Sequence, residues 1–122
     1  MRRGRPLAAI AGVLLVAGAA AATEDSITRY HLVGETGNAS KCKFLDPALS
    51  RLHTVTVTQG DVEIMSAGGI EGRMREIRPG TYGVVFELSG LRLDVVADLS
   101  PAHRMLSVSD RELGCRWRAV PE

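Results

Sequence analysis

The chain has 122 residues, with fifteen Lys and Arg against fourteen Asp and Glu, and three His. That length suits one domain with its own core. So near-neutral a balance excludes the concentrated positive field that drives binding to nucleic acid or to an anionic membrane.

At the N-terminus, Arg2, Arg3 and Arg5 precede an uncharged run over residues 6–23 whose strongest apolar stretch is residues 10–16, and Ala20-Ala21-Ala22 closes it. This is the layout of a secretory signal, with cleavage predicted after Ala22. A membrane anchor is the competing reading of a run this long, but Ala and Gly supply little hydrophobic free energy. No membrane span is therefore expected once the signal at residues 1–22 is removed. The remaining domain, residues 23–122, is expected in the periplasm or outside the cell. It keeps twelve basic residues against all fourteen acidic ones, a formal charge of −2.

Residues 27–33 suit a strand, and residues 35–40 read as a polar loop. Asn38-Ala39-Ser40 there matches a glycosylation sequon that matters only in a eukaryotic secretory route. The excess of Arg over Lys, thirteen to two, points to a GC-rich bacterial genome instead. Cys42 is the first of two cysteines and Cys115 the second. An even pair in an exported chain predicts a disulfide, and there is no C-x-x-C spacing or neighbouring histidine to suggest a reactive or metal-binding thiol pair. Residues 46–52 are the one helical-looking stretch, with Asp46 placed to cap free N–H groups and Pro47 where a missing donor costs nothing.

From residue 54 onward the apolar residues alternate at period two. Residues 54–58 and 62–65 predict a hairpin turned at Gln59-Gly60-Asp61, and a further strand runs over 70–77 to a break at Arg78-Pro79-Gly80. Tyr82, Val84, Phe86 and Leu88 share one face. After Ser89-Gly90, residues 91, 93, 95, 97 and 99 point inward. Residues 105–109 and 115–119 give two last strands, joined by a turn over 110–114, and Trp117 is expected beside the disulfide. The fold class is all-β: a small antiparallel meander of seven or eight strands with one short helical turn, forming a barrel or a sandwich.

No catalytic, metal or cofactor motif stands out. His31, His53 and His103 are isolated from one another, and His53 and His103 read as solvated loop residues. There is no G-x-S-x-G serine to act as a nucleophile, and Gly68, Gly69 and Gly72 match no phosphate-cradling pattern. Glu63, Glu71, Glu76 and Glu87 alternate with apolar neighbours, as an exposed strand face does.

The surface candidate is basic: Arg73 and Arg75 on one strand with Arg78 just after it, Arg116 and Arg118 on another, with Trp117 between the last two. If those strands lie together, guanidinium forks line one surface suited to an acidic polymer or an acidic partner protein of the envelope. The competing reading is a solvated outer face whose charges prevent edge-to-edge pairing. The expected function is an exported, non-catalytic binding or inhibitory module of the bacterial cell envelope that needs no cofactor. The alternatives are a small periplasmic hydrolase using His53 or His103 with a nearby acid, and a structural envelope protein.

Overall fold

A computed structural model describes residues 24–66 and 70–122. The signal expected over residues 1–22 lies outside the described residues, as do residues 67–69. The chain runs through β1 (Ser26–His31), β2 (Val33–Gly34), a 3-10 helix (Ser40–Leu45), α1 (Asp46–Leu49), β3 (Leu52–Thr58), β4 (Asp61–Ser66), β5 (Glu71–Arg78), β6 (Thr81–Leu88), β7 (Leu91–Asp98), β8 (Met105–Asp110) and β9 (Arg116–Ala119). All pairings are antiparallel, in the order β1-β3-β4-β5-β6-β7-β8-β9-β2. The meander is a nearly closed barrel, as the alternation predicts.

Nine strands rather than seven or eight arise because the first strand is split at Leu32. Its first part, β1, pairs with β3, while β2 pairs with β9 through Val33↔Arg118 and Gly34↔Trp117. One chain segment thus joins the first and last strands of the meander. The C-terminus adds to this seam, with a bridge between Tyr30 and Pro121 and the Glu122 amide donating to the Arg29 carbonyl at 2.9 Å.

The turns follow from local chemistry. Gln59-Gly60 and Ser89-Gly90 are two-residue hairpin loops in which both residues have positive φ, the twist that matches flanking strands. Pro79 precedes Gly80 at φ 81°, so a fixed negative φ is followed by a left-handed one. In the turn before Cys115, the buried Asp110 carboxylate accepts the Leu113 amide at 2.6 Å and the Glu112 amide at 3.3 Å.

Alternation sends Val55, Val57, Val62, Ile64, Met74, Tyr82, Leu93, Val95, Ala97, Leu106, Val108 and Trp117 into one apolar interior. Burying a side chain of this size contributes roughly 1.5–3 kcal/mol, so this set is the main stabilising term. The helical segment adds Cys42, Leu45 and Leu49 to the same core. Cys42 and Cys115 form the expected disulfide, tying the 3-10 helix to the residue before β9. Asp46 is not the helix cap that its sequence position suggests. Its Oδ1 instead accepts the Trp117 indole N–H at 2.9 Å and the Ser50 hydroxyl at 3.1 Å, and α1 ends at Leu49.

Candidate functional site

Two expectations about single residues are overturned by the direction of alternation. Trp117 does not belong to the surface candidate: it is wholly buried, because Arg116 and Arg118 occupy the outward phase of β9 and the residue between them must face in. Nor is His53 solvated. It is the first inward residue of β3, with no exposed surface, opposite Tyr30 on β1.

The His53 Nε2–H donates to the Leu49 carbonyl at 3.0 Å, and Nδ1 has no partner among the described residues. Burial pushes this imidazole below its ordinary value of 6.5, and the charges of Arg51 and His31 act in the same direction. The Leu49 hydrogen bond opposes them. Burial likewise raises the Tyr30 phenol above 10.0. His31 and His103 are exposed, as are Glu63, Glu71, Glu76 and Glu87.

The five arginines stand outside the barrel in two groups. Arg73, Arg75 and Arg78 lie on β5, while Arg116 and Arg118 lie on β9, with β6, β7 and β8 between the two strands. Four strand spacings separate the groups by roughly 19 Å around the wall, so they do not line one stripe. Arg118 pairs with Glu35 at 3.4 Å. Beside it, the Asn38 side chain binds the Arg116 backbone twice, accepting from the amide and donating to the carbonyl, each at 2.8 Å. The sequon amide is therefore engaged in holding its loop to β9.

The β5 group borders a depression on the outer wall. An open groove of about 730 Å³ crosses β5, β6 and β7, walled by Arg73, Arg75 and Arg111 with the carboxylates of Glu76 and Asp94, and floored by Ile77, Val85 and Val96 around Gly83. It exists because Gly83 occupies an outward position of β6 between Arg75 and Val96, where any other residue would place a side chain. A register shift between Glu76 and Arg78 leaves Ile77 leaning over that glycine. Ile77 and Val85 are each about half exposed, at 55% and 47%, and Ile27, Val33 and Met65 on other strands are more exposed still.

Charge in the groove is unevenly compensated. Arg111 Nε sits 2.8 Å from Asp94 Oδ2, a paired arrangement, and Arg73 stands 3.9 Å from Asp61 with both side chains well exposed. Arg75 has no ion-pair partner among the described residues. The chain matches no protein-family model, no curated protein and no solved structure. Function therefore rests on this geometry.

Sequence reasoning placed Arg73 and Arg75 on an outer face but missed Ile77, Gly83, Val85, Asp94, Val96 and Arg111. A signal was there to be read. With Tyr82, Val84, Phe86 and Leu88 inward, Gly83 and Val85 must be outward, and an outward glycine next to an outward valine breaks the polar pattern.

Among the described residues no group of three His, Cys, Asp or Glu side chains is placed to hold a metal ion, and no helix is long and apolar enough to cross a membrane.

Proposed function

We infer that the chain is an exported, non-catalytic binding or inhibitory module of the bacterial cell envelope, and that it engages an anionic partner through the groove over Gly83. The observation that carries this reading is the combination of an apolar floor with arginine walls, one of which, Arg75, lacks a counter-ion. Guanidinium groups beside apolar surface suit a ligand that is acidic and partly hydrophobic. The disulfide fits an oxidising compartment, and the filled barrel behind the groove supplies a rigid wall.

The hydrolase alternative has less support. His53 is enclosed, and the Ser100 hydroxyl, the one nearest His103 in sequence, donates to Asp98 at 2.7 Å rather than to an imidazole. A serine so held does not donate to the His103 imidazole.

The test is a titration of isotope-labelled mature protein with polyglutamate and with dextran sulfate, followed by amide chemical shifts. Shifts should centre on Arg75, Gly83 and Val96 for at least one polymer and vanish in Arg75→Glu. No response to either, or shifts confined to β9, would overturn the groove as the site. Hydrolysis of a peptide, ester or glycan that disappears in His53→Ala or His103→Ala would favour the enzyme.

A further inference from the structure

The partner's chemistry can be narrowed from how β5 and β6 separate. Their ladder holds only at the Pro79-Gly80 end, through Arg78↔Thr81, Glu76↔Tyr82 and Arg75↔Gly83. Beyond Arg75, the first part of β5 pairs with β4 alone, through Gly72↔Ile64 and Met74↔Val62. From Val84 to Leu88, β6 pairs with β7 alone among the described residues. Alternate residues of that stretch therefore turn N–H and C=O groups away from β7 toward an opening in the wall.

The opening is backed by a closed interior. Phe86 lies over Gly72, its ring tip 3.2 Å from where a Cβ on that glycine would stand, so its ring spans the gap between β5 and β6 on the core side. Arg73 and Arg75 flank this edge on the β5 side, and Val96 of the groove floor lies on the β7 side. Of the acidic groups nearby, Asp94 is held by Arg111, Asp61 stands 3.9 Å from Arg73, Glu87 stands opposite Arg92 at the far end of the hairpin, and Glu76 lines the groove. Arg75, which has no ion-pair partner among the described residues, is the uncompensated guanidinium that an incoming chain meets.

We propose that the groove receives an extended acidic polypeptide segment of a partner protein, which adds as a strand to the free edge of β6 at Val84–Leu88 and places acidic side chains between Arg73 and Arg75. Backbone pairing supplies affinity and the alternating side chains supply selectivity. An unpaired edge of five residues is long enough for such an addition. The proposal rests on the groove being the binding site and adds that the ligand is a peptide recognised through its main chain.

The experiment compares three probes on the full mature protein: an alternating Glu-Val decapeptide, the same peptide N-methylated at every amide nitrogen, and dextran sulfate. The plain peptide should bind and slow hydrogen exchange at alternate amides of residues 84–88. The N-methylated peptide, with its charge intact, should bind at least tenfold more weakly. Arg73→Glu with Arg75→Glu should weaken the plain peptide at least tenfold. Equal binding of both peptides and of dextran sulfate, all lost in the double variant, would overturn strand addition while leaving the groove as an anion site. Binding by none of the three would overturn both. A concentration-dependent dimer with residues 84–88 already protected before any peptide is added would assign the edge to a second copy and also overturn the proposal.

Discussion

The indole N–H of Trp117 donates to the Asp46 carboxylate at 2.9 Å, across 71 residues of sequence, and this bond joins the helical segment to the inner face of β9. The indole is buried, so it has no access to water if its acceptor is removed. Asp46→Ala should therefore cost about 1–3 kcal/mol, the usual penalty for an orphaned buried donor. Asp46→Asn keeps an oxygen acceptor and should cost clearly less. Urea unfolding followed by fluorescence of the single tryptophan measures both. Equal losses would show that the carboxylate charge, not the hydrogen bond, is what matters.

The disulfide acts on the same junction from the other side. Cys42 and Cys115 are 73 residues apart, and closing such a loop disfavours the unfolded chain by about 4 kcal/mol in the entropic account. For a domain near 100 residues this corresponds to a melting point on the order of 20 °C higher. Cys42→Ala with Cys115→Ala should show that difference in thermal unfolding, and so should reduction of the native protein. A change of a degree or two would mean that Trp117, Asp46 and the Leu45 and Leu49 anchors already fix the segment.

Much of the barrel was legible because its signals are local. The Gln59-Gly60 and Ser89-Gly90 loops, the inward run Tyr82, Val84, Phe86, Leu88 and the cysteine pair each speak through neighbouring residues or through compartment chemistry. What was not legible depends on distant partners. Asp46 has both the residue type and the position of a cap, and only the arrival of Trp117 shows where its oxygen goes. Arg75 and Arg118 share one row of the sheet, through Gly83, Val96 and Ser107, but no local pattern reveals how many strands intervene. His53 was misread because a polar residue at a strand start is more often solvated. Its inward phase, continuous with Val55 and Val57, was the better guide.

That phase gives His53 a pH signature. Burial lowers its pKa in the folded state below the 6.5 of the exposed side chain. Below pH 6.5 the unfolded chain takes up a proton that the native imidazole refuses, so the stability present above pH 6.5 is lost as pH falls through the native value. Unfolding midpoints should decline between pH 7.5 and 5, and His53→Leu should flatten that decline even if it lowers the midpoint at every pH. Asp98, whose carboxyl is held below 3.8 chiefly by the Ser100 hydroxyl, contributes a separate loss at more acid pH. Parallel declines in the two proteins would show that His53 is not the source.

Gly83 separates binding from stability more sharply than any arginine. A Cβ added there would stand 2.5 Å from Ile77 Cδ1, the far end of an exposed, flexible side chain that can swing outward. Replacing a strand glycine also recovers roughly 0.5–1 kcal/mol of backbone entropy, which offsets that displacement. Gly83→Ala should thus leave the unfolding free energy within about 1 kcal/mol of the parent. Gly83→Leu, with a side chain projecting between Arg75 and Val96, should fill the groove and reduce capture of an acidic ligand at least tenfold while the circular dichroism of the barrel is unchanged. A folded Gly83→Leu protein that binds polyglutamate, dextran sulfate and the Glu-Val peptide as tightly as the parent would remove the groove from consideration.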